Sequence, residues 1–258
     1  NFIFASIVGM LFSYFFGVFL DSNSSHYNFL FIGMGGTALL SAVALFLMPA
    51  PQVKSSITSA SFVGGISFIF KDRLFGKMLI GWMLMGLGVI MTIPLRIEYM
   101  VGDGGIGMTN QQVAIIVVIY SFAGVLTSRI WGKLFDRIPF VPYRISLNLF
   151  LLTSILIFFS SSTFYGLILG SALAGVANGG ASIAWSLWVT KLAPSGLEAE
   201  YMGAHVFMTG LRGFCAPFLG YMILGLLGFQ GMTYFASSLI ILSVLIFMTE
   251  YRASRLAV

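Results

Sequence analysis

The sequence predicts an all-α, polytopic membrane protein, and three observations carry that prediction. Of its 258 residues, 59% are hydrophobic and only 8% are charged, with a mean hydropathy of +1.00. An ordinary soluble domain carries roughly 25% charged residues, and a soluble fold of this size has too little interior to hide so much apolar surface. Second, apolar stretches near the length needed to cross a bilayer, about 20 residues, recur along the whole chain. Third, Lys and Arg gather in alternate connections between those stretches, the distribution that the positive-inside rule produces. The 26 Phe and 30 Gly agree, since Gly allows close approach of helices in lipid.

Eight spans are read in order: 2–20, 29–48, 78–96, 112–130, 145–159, 164–187, 205–227 and 232–249. The fifth is short in strict apolar terms, with Arg144 and the 160–163 polar run at its ends. The 21–28, 97–111, 160–163 and 228–231 connections are nearly free of basic residues. The others hold Lys54, Lys71, Arg73 and Lys77, then Arg129, Lys133, Arg137 and Arg144, then Lys191, then Arg252 and Arg255. Only Arg96 and Arg212 escape this alternation. An even number of crossings follows, with both ends of the segment cytoplasmic and the cell (inner) membrane as the expected location.

The 49–77 connection is unlike the rest. It opens PAPQ, runs through Ser and Thr, and continues SFVGGISFIFKDRLFGK, which predicts a short interfacial helix. This is the natural boundary between two bundles: two helices in 1–48, a linker in 49–77, and six helices in 78–258. Asn1 stands where a Met would open a chain, and no signal-peptide pattern follows it. The numbered residues are therefore expected to begin inside a longer polypeptide or after processing.

The most specific stretch is Gly132-Lys-Leu-Phe-Asp136-Arg137, followed by Arg144, between the fourth and fifth spans. Gly permits close approach at a helix end, a carboxylate can accept bonds from a helix N-terminus, and the arginines can pair with carboxylates or anionic lipid. Ordinary cytoplasmic anchors would show the same charges. GKLFDR also resembles the signature loop of the major facilitator superfamily, a Gly, then Asp-Arg, then a further basic residue. It lies between the second and third helices after the linker, as in that family's C-terminal half. The usual second Gly is absent, because Ile138, Pro139 and Phe140 stand there. The resemblance implies that Gly132, Asp136, Arg137 and Arg144 form a conformational latch. It also implies that the chain corresponds to helices five to twelve of twelve, with the missing N-terminal helices of the same polypeptide as a partner.

Candidate cavity residues follow. Asn178, Ser182 and Trp185 stand at i+4 and i+3 steps in the sixth span and share a face. They can line a substrate cavity, or Asn178 can bond across a helix interface while Gly179, Gly180 and Ala181 allow close packing. Trp185 and Trp188 can equally anchor at the interface. Arg212 lies within the seventh span, and an ionisable residue there faces a partner or an aqueous cavity unless its stem snorkels. Arg96, after Pro94, is read as an outer-vestibule residue or a headgroup-level charge.

The sequence lacks a nucleotide-binding P-loop and a Ser nucleophile elbow. His26 and His205 are read on opposite sides, and Cys215 is the only cysteine. No acidic residue falls deep in a span. Neither enzyme chemistry, a metal, a cofactor nor a nucleic-acid partner is expected. The expected activity is secondary transport of a small-molecule solute by alternating access, with membrane lipid around it; the two stray arginines lean toward an anionic or amphipathic solute. The rivals are a non-transporting receptor or assembly protein on the same scaffold and, less well supported, an enzyme acting on lipid.

Overall fold

The computed structural model describes residues 2–22, 27–49, 62–102 and 104–251. His26, Lys54, Asp103, Arg252, Arg255 and most of the 49–61 stretch fall outside them. The described elements are α1 (Phe2–Ser22), α2 (Tyr27–Phe46), α3 (Phe62–Lys71), α4 (Arg73–Val101), α5 (Asn110–Arg137), α6 (Phe140–Ser160), α7 (Phe164–Leu187) and α8 (Glu198–Thr249). All but α3 are long and apolar enough to cross a membrane.

Capping chemistry fixes several starts. Asp72 caps α4, accepting from the Phe75 amide at 3.2 Å. Thr109 and Gln112 form a reciprocal capping box on α5, and Thr163 accepts from the Gly166 amide at the start of α7. These side chains satisfy amides that have no partner inside the helix.

The 52 residues of α8 are two segments broken at Gly228, whose φ of 66° lies in the left-handed region that favours glycine. Contacts with α4 show the reversal. Going up, Tyr201 bonds Asp72, Arg212 bonds the Trp82 carbonyl, and Gly220 lies against Met91. Coming back, Phe229 packs on Tyr99, Ser243 bonds the Gly81 carbonyl, and Glu250 pairs with Lys77. The segments 198–227 and 229–249 therefore run antiparallel, and the helices supply eight crossings. The four-residue connection expected at 228–231 is reduced to one non-helical residue, because a positive-φ glycine reverses the chain alone. Hydropathy also understated α4, α5 and α6, which begin at Arg73, Asn110 and Phe140. Charged and polar ends of a span remain helical, since helical hydrogen bonding does not depend on hydropathy.

One expectation is corrected. The N-terminal helices of the polypeptide are not a missing partner, because the chain carries α1 and α2 of membrane length, and α1 is docked. Asp21 accepts from the Asn110 and Gln111 amides at 2.9 Å each, and Gly17 lies against Ala114 and the Asn110 carbonyl. Tyr27 donates to Asn110 Oδ1 at 2.9 Å. An N-terminal carboxylate thus occupies the amide-rich start of α5, where the helix dipole favours it.

Between α5 and α7 the contact is backbone on backbone. A Cβ at Gly175 would overlap the Tyr120 carbonyl, and one at Gly179 would come within 2.6 Å of the Gly124 carbonyl. Lipid supplies no hydrophobic drive between helices, so close packing must hold them together. Gly175→Val is expected to destabilise the protein by about 3 kcal/mol or more, because it overpacks against backbone that cannot yield. Gly132→Ala serves as control: its Cβ would meet only Ile183 at 3.8 Å, and thermal unfolding of the two variants gives the comparison.

Candidate functional site

Inside the bundle of α4–α8 lies a cavity of about 510 Å³, within the range of small-molecule sites. Along α4 its wall runs from Trp82 to Met100. Asn178 and Trp185 of α7 line it, as do Arg212 of α8 and Arg96 of α4. Ser182 is not among the lining residues; its hydroxyl donates to the Gly179 carbonyl at 3.3 Å. The helix α7 therefore presents different faces to its helix neighbours and to the cavity. Gly175 and Gly179 meet α5, and Gly180 meets Leu147 of α6 and Trp131 of α5, while Asn178, Ala181 and Trp185 face the cavity.

Arg144 also lines the cavity. It sits near the start of α6, 1% exposed, with its guanidinium 4.0 Å from the centre of a Trp82 ring. Its Nη2 donates to the Met85 sulfur at 3.0 Å, whereas Nε and Nη1 have no hydrogen-bond partner among the described residues. The residues of the GKLFDR stretch lie elsewhere. Gly132, Asp136 and Arg137 form the last turns of α5, and only Ile138 and Pro139 separate α5 from α6. Asp136 and Arg137 are exposed and make no side-chain hydrogen bond or ion pair with a described residue.

Arg212 donates through Nη1 to the Trp82 carbonyl at 3.1 Å, and its Nε is buried without a hydrogen-bond partner among the described residues. Gly86 makes room for it, since a Cβ there would overlap the Arg212 guanidinium. That guanidinium is the movable end of a long side chain. Gly86→Ala is therefore expected to leave stability within about 1 kcal/mol and to displace Arg212, weakening solute binding at least tenfold. Ligand titration beside thermal unfolding separates the two effects. Arg96 is held differently, by the Ser154 hydroxyl at 3.2 Å and over the Phe158 ring at 4.5 Å.

Toward the Arg73 end of α4, aromatic rings underlie this group. Trp82 stacks on Trp188 at 5.2 Å and Phe140 at 6.2 Å, and Trp188 stacks on Phe75 at 5.7 Å. His205 is fully buried within this cluster, against Trp82, Trp185 and Trp188, and neither ring nitrogen has a hydrogen-bond partner among the described residues. Sequence reasoning placed His205 at a span boundary and missed Trp82, Gly86 and the inward turn of Arg144. Patterns along one helix do not reveal which residues of α4, α6 and α8 meet.

The family model for the Major Facilitator Superfamily matches residues 103–256, more than half of the chain. The chain belongs to the Major Facilitator Superfamily. A search among curated proteins found no significant match. Membership of this superfamily makes the chain an integral, multi-pass membrane protein of a transporter family rather than an enzyme. Among the described residues no group of three or more His, Cys, Asp or Glu side chains could hold a metal ion.

Proposed function

We propose that the protein is a secondary transporter that moves a small solute by alternating access, with the α4–α8 cavity as the solute site. The observation that carries this reading is the cavity itself: three arginines and Asn178 line an otherwise mostly apolar chamber inside a major facilitator bundle. A scaffold or assembly protein gains nothing from buried guanidinium groups, which are expensive at membrane depth.

The same reading divides the chain into 1–48 as two helices of a first bundle, 49–77 as a cytoplasmic linker, and 78–258 as the second bundle. The described basic residues outside the cavity support a cytoplasmic Arg73 end: Lys71, Arg73, Lys77, Arg129, Lys133, Arg137 and Lys191 all belong to that half of the bundle. Gly132, Asp136 and Arg137 then lie at the cytoplasmic surface, where a latch would make and break contacts as the bundles rock. Arg144, read with them in the sequence, lies close enough in the chain to link such a latch to the cavity wall.

Uptake by the protein in sealed proteoliposomes tests the proposal, across anionic, neutral and cationic solutes, with and without a pH gradient. Concentrative uptake of at least one class, reduced tenfold or more in a folded Arg212→Ala variant, is the expected result. Saturable solute binding with no uptake under any gradient would favour the receptor reading.

A further inference from the structure

We infer that the cavity takes an amphipathic organic anion, its oxyanion group seated between Arg144 and Arg212 beside Trp82 and its apolar body extending along α4 toward Arg96. The inference rests on the reading of this cavity as the solute site.

The two guanidiniums share one neighbour. Arg144 lies over the Trp82 ring and Arg212 bonds the Trp82 carbonyl. Between them, three buried nitrogens have no hydrogen-bond partner among the described residues: Nε and Nη1 of Arg144 and Nε of Arg212. Among the described residues Arg144 donates only to a thioether, a weak acceptor. Two like charges cannot neutralise each other, and no carboxylate is among the lining residues. A carboxylate or phosphate supplies what is lacking, a negative charge with several lone pairs in guanidinium-compatible geometry.

The rest of the chamber sets the body of the solute. Val89, Ile93, Ile155 and Phe158 line it beyond the arginine pair. About 15 Å of helix rise separates Gly86, where Arg212 is seated, from Arg96, at about 1.5 Å per residue. A small inorganic anion would leave that apolar wall unfilled. A cation would meet two unneutralised arginines. Arg96 already has Ser154 and Phe158 as partners, so the demand for an anion is strongest at the Trp82 end.

The test uses the purified protein in phosphatidylcholine nanodiscs, with tryptophan fluorescence as readout, since Trp82 and Trp185 line the cavity. The probes are 4-phenylbutyrate, its amide, 4-phenylbutylamine and inorganic phosphate. Saturable binding of 4-phenylbutyrate is expected, with each other probe at least tenfold weaker. Arg144→Gln and Arg212→Gln should each weaken it at least tenfold, and Arg129→Gln, an exposed position on α5, should not. Equal binding of the amide or amine overturns the anion assignment, as do two folded Gln variants of wild-type affinity. Equal binding of phosphate overturns the apolar body. If the Gln variants do not fold, the probe series on the wild type decides alone. Nanodiscs with added phosphatidylglycerol separate the sources: unchanged affinity supports a soluble anion, and competition overturns it in favour of a lipid headgroup. Anion binding without uptake would remove the transport reading and keep this inference. Uptake of a cationic or neutral solute without 4-phenylbutyrate binding would do the reverse.

Discussion

Arg144→Met is expected to raise the thermal stability of the protein while abolishing solute binding. The side chain is 1% exposed, and two of its nitrogens lack a hydrogen-bond partner among the described residues. Taking a charge out of water is costly even when it is paired, and replacing buried ionic groups by apolar residues of similar volume often stabilises by about 1–4 kcal/mol. Met fills much of the same space and can still pack against Trp82 and Met85. A binding loss of at least tenfold together with a higher unfolding temperature would identify Arg144 as retained for function at the expense of stability. A lower unfolding temperature would mean that the cation–π contact with Trp82 outweighs the desolvation of the guanidinium, and that Arg144 is mainly structural.

Trp82→Ala should have the largest destabilising effect of any single truncation in the cavity wall. Trp82 is 2% exposed and touches Phe140, Trp188, His205 and Arg144, so it joins α4 to α6, α8 and the segment after α7. Truncating a buried aromatic residue typically costs about 3–5 kcal/mol. In lipid the lost packing dominates, because apolar transfer contributes little between helices. Arg144 also loses the ring it lies against, so binding should fall further than stability alone explains. Thermal unfolding and probe titration of the same preparation measure both. Retention of wild-type stability would show that the aromatic cluster does not hold these helices together.

Much of the fold was legible in the sequence because membrane helices announce themselves locally. Apolar length gave the spans, and the alternation of basic connections gave their parity. What failed was local in another sense. Hydropathy stopped the fifth span at Ile145, after Arg144, because a scale penalises arginine wherever it points; the helix in fact begins at Phe140 and turns Arg144 inward. The reversal at Gly228 was read as a longer connection, since a single positive-φ glycine leaves no hydropathy signal. In the 49–77 connection the sequence predicted a short helix, and α3 stands there; what it missed is that α4 starts at Arg73 rather than 78, directly after the Asp72 cap.

The site was half legible. Arg212, Asn178, Trp185 and Arg96 stood out as polar or amphipathic residues in apolar surroundings, and all four line the cavity. Ser182 shares the helical spacing, yet its hydroxyl turns back to its own backbone, a common choice for Ser in a helix. Trp82 and Gly86 carry no signal of their own. Their importance arises because α8a, the segment 198–227, runs beside α4 and brings Arg212 to them. Such a pairing depends on tertiary contact between distant parts of the chain.

The central claim, that this cavity opens alternately to the two sides of a membrane, is tested most directly by side-specific labelling. Asn178→Cys, placed in a Cys215→Ser background, would be exposed to a membrane-impermeant maleimide from inside or outside sealed proteoliposomes, across solute and gradient conditions. Labelling from each side, with the balance shifted by 4-phenylbutyrate, is the predicted result. Labelling from one side alone under every condition, in a protein shown to be folded, would contradict alternating access at this site.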